Sequence, residues 1–489
     1  MKFDEIIKEI GAGLAPRWVT ELAFEPAGYS IDSRTVREGE LFFAIRGENY
    51  DGHRFVAEAI KKGAFAAVVS DEFAAANTTM AANLVGVADT LAALQQLASA
   101  VLRNWPGRAV GITGSMGKTT TKEMTAAALA RGGSVTKTTG NLNNAYGLPL
   151  SVLKMETDGA RASDFDFAVF EMGMNHKGEI SELTRIAPPD LGLVTIVAPV
   201  HLEFFPSVDA IAEAKAEMVG GIKPGGVAVL NADDERVARM RELRTDIDYR
   251  LFGMSNAADV TARNIRAEGL NGTSFLLVTP RGEVEARLRL AGRHNVYNAL
   301  AAAAVADFYE VPLDRIAEAL FESSSPRMRG EVVRFKEGFT LIDDSYNSNP
   351  RALVEMMTTI CANEDCQRRV VVAGEMLELG ATGTALHREA GESAAELGVD
   401  LIVGVRGLGR EIVEGARARG MSERAAVFCE TPEEAAELLA REARAGDLIL
   451  VKGSRGVKTE IVVQRMKQKF EQSEEAKREN GDAATNSVH

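Results

Sequence analysis

The stretch GITGSMGKTTTKEM, residues 111–124, joins an apolar run to a helical one through a loop containing glycines. Its end fits the phosphate-loop template G-x-x-x-x-G-K-[ST] at Gly117, Lys118 and Thr119. The residue five before Gly117 is Ile112, where the template has glycine; the glycines stand at Gly111 and Gly114 instead. The context still fits: RAVGIT reads as a buried strand before the loop, and TKEMTAAALA as a helix after it. Backbone N–H groups at such a helix start face bound phosphates, with Thr113, Gly114, Ser115 and Met116 forming the approach. Lys118 adds a cation and Thr119 offers an oxygen to Mg²⁺. A plain turn needs neither lysine nor threonine there, so the stretch reads as an ATP phosphate site.

Around this loop the 489-residue chain divides into three blocks and a tail. Residues 1–83 mix short strands and helices, with ELFFAI as a buried strand and RFVAEAIKKGA as a helix stopped by glycine. In residues 84–325, DFAVFEM, LGLVTIV and GGVAVLN follow the phosphate loop as apolar strands between helices. That alternation predicts a parallel sheet covered on both faces. SFLLVTPRGEVEARLRLAG breaks it and reads as an added hairpin. Residues 326–470 return to alternation with FTLIDDS, RRVVVAGE, DLIVGV, AAVFCE and DLILVKGS, a second doubly wound unit of Rossmann-like type. Residues 471–489, polar and free of aromatics, read as a disordered tail. The fold class is α/β.

Composition narrows the function. The chain is 46% hydrophobic and 26% charged with a net charge of −14, and it has no long basic cluster. That balance argues against nucleic acid or an anionic membrane as the main partner. The start, MKFDEIIKEI, has no apolar signal core, and no apolar run is long enough to span a bilayer. Three cysteines suit a reduced compartment and make no metal pattern. The cytoplasm is the expected location.

A phosphate loop does not name a reaction. Glu171 ends a strand that should finish beside the loop, where a carboxylate serves Mg²⁺ bound to phosphates. His201 also follows a strand, and Lys215 lies within a helix. By spacing alone, these last two are as well explained by a structural histidine and a solvated lysine.

Taken together, the motifs resemble the Mur ligase family, ATP-dependent enzymes that build the peptide stem of peptidoglycan precursors. The resemblance spans almost all of the chain apart from the tail. TGSMGKTTTKEM is similar to the family's phosphate loop, and TTGNLNNAYGLPLSVL, FEMGMNHKGEI, HLEFF, AKAEM and GRHNVYNALAAAA follow in the expected order. DDSYNSNP, AGEMLELG and VKGSRG resemble the branch that adds D-alanyl-D-alanine to UDP-N-acetylmuramoyl-tripeptide. The sister branch that adds the third stem residue usually shows Asp-Asn-Pro-Arg; here Ser348, Asn349, Pro350 and Arg351 stand there, without the first acid. Its glycine-lysine-glycine-histidine-glutamate motif is also not visible. Glu375 stands where family members commonly have aspartate, a conservative departure.

The resemblance implies a mechanism in which ATP phosphorylates the peptide carboxylate and the incoming amine displaces phosphate. It gives Lys118 to the phosphates, and Thr119 and Glu171 to one Mg²⁺. His201 and a carbamylated Lys215 go to a second. Asn295 and Asn298 fall on the adenine side, while Arg329, Asp344, Tyr346 and Asn347 complete the ATP site from the third block. Ser33 and Arg34 are the candidates for the UDP moiety. Thr139, Asn141, Asn144, Asn175 and His176 line the muramoyl-peptide path. For the asparagines of the ATP site, helix capping and packing is the structural alternative, and for Ser33 and Arg34 a polar turn. The resemblance also implies a monomer. Competing readings are another Mur-type or folylpolyglutamate-type amide ligase, or a nucleotide-binding regulator that has lost catalysis.

Overall fold

The computed structural model describes residues 1–12, 24–47, 50–255 and 257–471. The expected tail at 471–489 therefore lies, apart from Glu471, outside the described residues, as do Glu48 and Asn49 of the first block.

The loop that opened the sequence reading sits in a six-stranded sheet. Its spatial order is Asp248–Phe252, Val227–Asn231, Leu191–Val194, Arg108–Thr113, Phe167–Glu171 and Val135–Lys137. Every pairing is parallel. The four inner strands, from Val227–Asn231 to Phe167–Glu171, are apolar without alternation, as strands covered on both faces must be, while the edge strands Asp248–Phe252 and Val135–Lys137 are more polar and less buried. Arg108–Thr113 lies between Phe167–Glu171 on one side and Leu191–Val194 on the other. The chain thus reverses direction across the sheet at the end of the loop-bearing strand, the position where open α/β sheets bind ligands.

Helix Arg293–Phe308 packs against helix Lys118–Leu129. Residues 299–306 of it, six alanines with Leu300 and Val305, are all buried. Side chains this small let the helix axes approach closely, which brings Asn298 against the phosphate loop.

A second six-stranded sheet holds Glu331–Arg334, Thr340–Asp344, Asp447–Lys452, Arg368–Gly374, Leu401–Val405 and Ala426–Cys429 in that order. All its pairings are parallel except the edge strand Glu331–Arg334. Helix Pro350–Cys361 begins here with proline in its first turn, and Asn349 Oδ1 accepts from Ala352 N at 2.9 Å. The SNP of the DDSYNSNP motif is therefore a helix start.

The N-terminal sheet is parallel and four-stranded: Gly28–Ser30, Glu40–Phe43, Ala66–Ser70 and Leu84–Val87. Residue 83, the expected end of the first block, falls before its last strand. LVGV is too short and its flanks too polar to announce a strand by periodicity. The expected hairpin is a three-stranded antiparallel meander, Thr261–Ala267 joining Thr273–Thr279 and Gly282–Leu288. Most of TARNIRA is exposed, so it shows no apolar period.

Candidate active site

A cavity of about 510 Å³ opens where the phosphate loop, helix Arg293–Phe308, the loop after strand Thr340–Asp344 and helix Pro350–Cys361 converge. Ser115, Met116, Gly117, Lys118, Thr119, Glu171, Asn295 and Asn298 line it from the central sheet's side. Arg329, Asp344, Tyr346 and Asn347 line it from the other. Residues separated by more than two hundred positions, such as Lys118 and Asp344, thus line one cavity.

The loop shows why the strict glycine template is not needed. Gly117 caps helix Lys118–Leu129 with φ +79°, and a Cβ there would lie 2.4 Å from Asn298 Oδ1. Gly114, at φ +148°, would place a Cβ 1.8 Å from Thr195 Oγ1. Ile112 is a buried strand residue, so the loop starts after it and its tight positions are 114 and 117. Thr195 Oγ1 donates to Met116 O at 2.6 Å, and Ser115 N donates to Ile196 O at 2.7 Å, fixing the loop to the next strand's end. Thr113 belongs to this support and faces away from the cavity: its Oγ1 donates to Met172 O at 2.8 Å.

Lys118 Nζ donates to Gly114 O at 2.7 Å, curling back over the loop. Burial pushes its pKa below the usual lysine value; the Glu171 carboxylate opposes that shift and the Arg329 guanidinium adds to it. Glu171 is buried, and its Oε1 accepts from Asn143 Nδ2 at 2.9 Å. Its Oε2 has no hydrogen-bond partner, although Lys122 Nζ lies 3.8 Å away. A buried carboxylate oxygen left open beside a phosphate loop fits a hard divalent cation, which takes one or two carboxylates alongside phosphate oxygens. Among the described residues no group of three or more His, Cys, Asp or Glu is placed to hold a metal by itself. Any cation here therefore shares its shell with a substrate.

Across the cavity, Arg329 stacks on Tyr346 with its guanidinium carbon 4.1 Å from the ring centroid. Lys452 Nζ donates to Asp344 Oδ2 at 2.6 Å and to Asn347 O at 3.0 Å. His294, also at the cavity, is pushed below the usual histidine pKa by burial. Asn298 takes Thr121 Oγ1 at 3.2 Å and donates to Asn295 Oδ1 at 3.2 Å.

His201 and Lys215 are not among the cavity's lining residues. Lys215, on helix Val208–Gly220, is 2% exposed and makes no hydrogen bond or ion pair among the described residues. Burial, reinforced by the Lys118 charge, pushes its pKa well down. His201 Nδ1 lies 2.5 Å from Glu378 Oε2 of the third sheet's unit.

The remaining candidates sit away from the cavity. Ser33 is buried and its Oγ donates to Glu58 at 3.4 Å, while Arg34 is exposed and paired with Asp32 at 2.7 Å. Thr139 accepts from Lys154 Nζ at 2.8 Å, beside Asn141 on the same loop. Asn144 Oδ1 accepts from Gly147 N at 2.9 Å, at the start of helix Gly147–Leu153. Asn175 N donates to Glu179 at 2.6 Å, and the His176 ring packs against Phe204 with centroids 4.9 Å apart.

Sequence reasoning missed Lys122, Asn143, Lys452, Asp233, Tyr297 and Glu378. A signal existed for Lys122: it lies one helical turn after Lys118, on the same helix face. It is 1% exposed, and its Nζ lies 3.1 Å from Glu123 Oε1. Lys452 and Glu378 stand inside VKGSRG and AGEMLELG, motifs that had no role beyond resemblance. Tyr297, one turn after Arg293, donates to Asp233 at 2.9 Å.

With this geometry in view, the comparisons with known proteins can be read. The sequence matches three family models: the Mur ligase family catalytic domain over residues 26–101, the Mur ligase middle domain over 112–306, and the Mur ligase glutamate ligase domain over 328–455. The chain belongs to the Mur ligase family. It is 34% identical over 443 residues to the UDP-N-acetylmuramoyl-tripeptide--D-alanyl-D-alanine ligase of Bacillus subtilis, covering 89% of this chain and 92% of that one. The structure superposes on MurF from Acinetobacter baumannii with a TM-score of 0.82 at 29% identity, over 96% and 98% of the two chains. It also superposes on MurF ligase from Thermotoga maritima in complex with ADP, with a TM-score of 0.75 at 29% identity over 90% and 97%. The Mur ligase fold accounts for the three α/β units, and family membership for ATP use.

Proposed function

We propose that this chain is an ATP-dependent ligase that joins D-alanyl-D-alanine to the C-terminal carboxylate of UDP-N-acetylmuramoyl-tripeptide, giving the pentapeptide precursor of peptidoglycan. What carries the reading is the match, over almost the whole length of both chains, to ligases named for that reaction. The cavity in which Lys118 and Glu171 face Arg329 and Asp344 supports it.

In this reading a carboxylate oxygen of the tripeptide attacks the γ-phosphorus of ATP, and the bond to ADP breaks. The amine of the dipeptide then attacks the acyl carbon, the carbon–oxygen bond to phosphate breaks, and the amine's proton is lost. Positioning and charge neutralisation do most of the work, with no covalent enzyme intermediate. Lys118 and the loop N–H groups hold the β- and γ-phosphates. Thr119 and Glu171 would hold one Mg²⁺, and His201 with Lys215 a second; these residues would thereby bring positive charge against the repulsion between phosphate and carboxylate oxygens. Asp344 and Tyr346, kept in place by Lys452 and Arg329, close the site from the third unit.

Lys215 serves as the carbamate. Its burial without a partner favours the neutral amine, which adds CO₂ and releases a proton to become an anion. Ser33 and Arg34 hold the UDP moiety, and Thr139, Asn141, Asn144, Asn175 and His176 the muramoyl-peptide. Among the described residues no helix is long and apolar enough to cross a membrane. We place the enzyme in the cytoplasm, working as a monomer.

Phosphate release with UDP-N-acetylmuramoyl-tripeptide tests the reading across a panel of acceptors: single amino acids, D-alanyl-D-alanine, and glutamate as used by folylpolyglutamate-type ligases. D-Alanyl-D-alanine is expected to stand out. Preference for a single amino acid would assign the chain to another branch. ATP binding without phosphate release under any acceptor would favour a regulator.

A further inference from the structure

His201 and Glu378 meet from different units of the fold. His201 follows the central strand Leu191–Val194, and Glu378 follows strand Arg368–Gly374 of the third sheet. The imidazole Nδ1 lies 2.5 Å from Glu378 Oε2. Two backbone contacts dock the same seam. Glu203 N donates to Glu378 O at 3.1 Å. Gly380, at φ +55°, sits so that a Cβ would come within 3.3 Å of Leu202 O and Glu203 Cα.

Both partners hold backbone conformations that side chains with a Cβ rarely adopt: φ is +56° at His201 and +64° at Glu378. Strain of this kind persists where the surrounding structure enforces it, and it clusters at working sites. The carboxylate accepts the Nδ1 proton and so fixes the tautomer, leaving the Nε2 lone pair free. A histidine that ligates a metal through one ring nitrogen characteristically gives the other to a carboxylate. The partnership also holds the Glu378 carboxyl below its usual pKa range.

We propose that Glu378 is a positioning residue for His201. It orients the imidazole with Nε2 presented for a cation, and because it arrives from the third unit, the His201 site is complete only when that unit is docked. The inference rests on the reading of His201 as a ligand of the second Mg²⁺. It gives the AGEMLELG stretch a role, and it ties docking of the third unit to readiness of the His201 site as well as to closure of the cavity that Arg329, Asp344 and Tyr346 line.

The test uses the full chain with Glu378→Ala, Glu378→Gln, His201→Ala and the double variant. Glu378→Ala is expected to lower kcat roughly 10- to 100-fold, the usual effect of removing a partner behind a metal ligand, with the KM for ATP near wild type. Glu378→Gln, which keeps an acceptor oxygen without the charge, is expected to fall between. The double variant should be no worse than His201→Ala alone, because the two side chains act as one unit. As a readout other than activity, Mn²⁺ titrated into the ADP-bound protein and followed by electron paramagnetic resonance should show the weaker ion loosened in Glu378→Ala and the tighter ion unchanged.

A Glu378→Ala protein with native kcat and native Mn²⁺ titration overturns the proposal while His201→Ala remains impaired. So does a double variant whose losses multiply, or a change confined to melting temperature. If His201→Ala itself keeps the native rate and Mn²⁺ titration, it is the reading of His201 that falls, and the proposal with it.

Discussion

Replacing Lys118 by alanine is expected to remove turnover and leave the fold standing. In the proposed mechanism the ammonium holds the phosphoryl group being transferred, and losing a preorganised charged donor from such a site costs on the order of 10³-fold in rate. The fold should tolerate the loss because Lys118 is not the sole counter-charge of Glu171. That carboxylate keeps its bond from Asn143 and its proximity to Lys122. The alanine also relieves a buried amine whose charged form is disfavoured there. Phosphate release and a thermal melt on the same preparation check both halves. Wild-type-like release from a folded Lys118→Ala protein would mean that the loop has another job.

Lys215→Ala is the second large effect. In the proposed mechanism an ammonium at that position would oppose the cation assigned to His201, and a carbamate would reverse the sign. Alanine should therefore cost on the order of a hundredfold or more, since a charged metal-site group disappears. The direction of the pKa shift gives the experiment a second handle. Carbamate formation consumes the neutral amine, the form that burial favours by pushing the Lys215 pKa well down. Native enzyme prepared without CO₂ should then lose activity that bicarbonate restores, while Lys215→Ala should ignore bicarbonate and respond to formate or acetate filling the vacated space. Near-normal ligation by Lys215→Ala would leave Glu171 and His201 as the cation ligands and remove the carbamate from the mechanism.

The parts of this structure legible in the sequence are those where one physical constraint dominates. Strands buried on both faces must be apolar throughout, and so the inner parallel strands such as Arg108–Thr113, Leu191–Val194, Val227–Asn231 and Asp447–Lys452 announce themselves, whereas the edge strands Val135–Lys137 and Asp248–Phe252 do not. Gly117, Lys118 and Thr119 must follow one another at a helix start, and so does the site built on them. Elements that carry mixed surfaces were hidden. Thr261–Ala267 is largely exposed, Leu84–Val87 is four residues long, and Glu331–Arg334 is an edge strand. The missed site residues share a different cause. Lys452 and Glu378 act through partners 108 and 177 positions away, and no local period records such pairings. Asn144 shows the converse: a polar residue in a motif-bearing loop whose side chain turns out to cap the next helix.

The central claim is ligation through an acyl phosphate, and isotope transfer tests it most directly. UDP-N-acetylmuramoyl-tripeptide carrying ¹⁸O in its terminal carboxylate is incubated with ATP, Mg²⁺ and D-alanyl-D-alanine, and the released phosphate is analysed by mass spectrometry. Attack of the carboxylate on the γ-phosphorus, followed by attack of the amine on carbon, leaves a carboxylate oxygen on the phosphate. Each phosphate should therefore carry the label, in step with formation of the pentapeptide. Phosphate released without ¹⁸O while the pentapeptide forms would contradict the account.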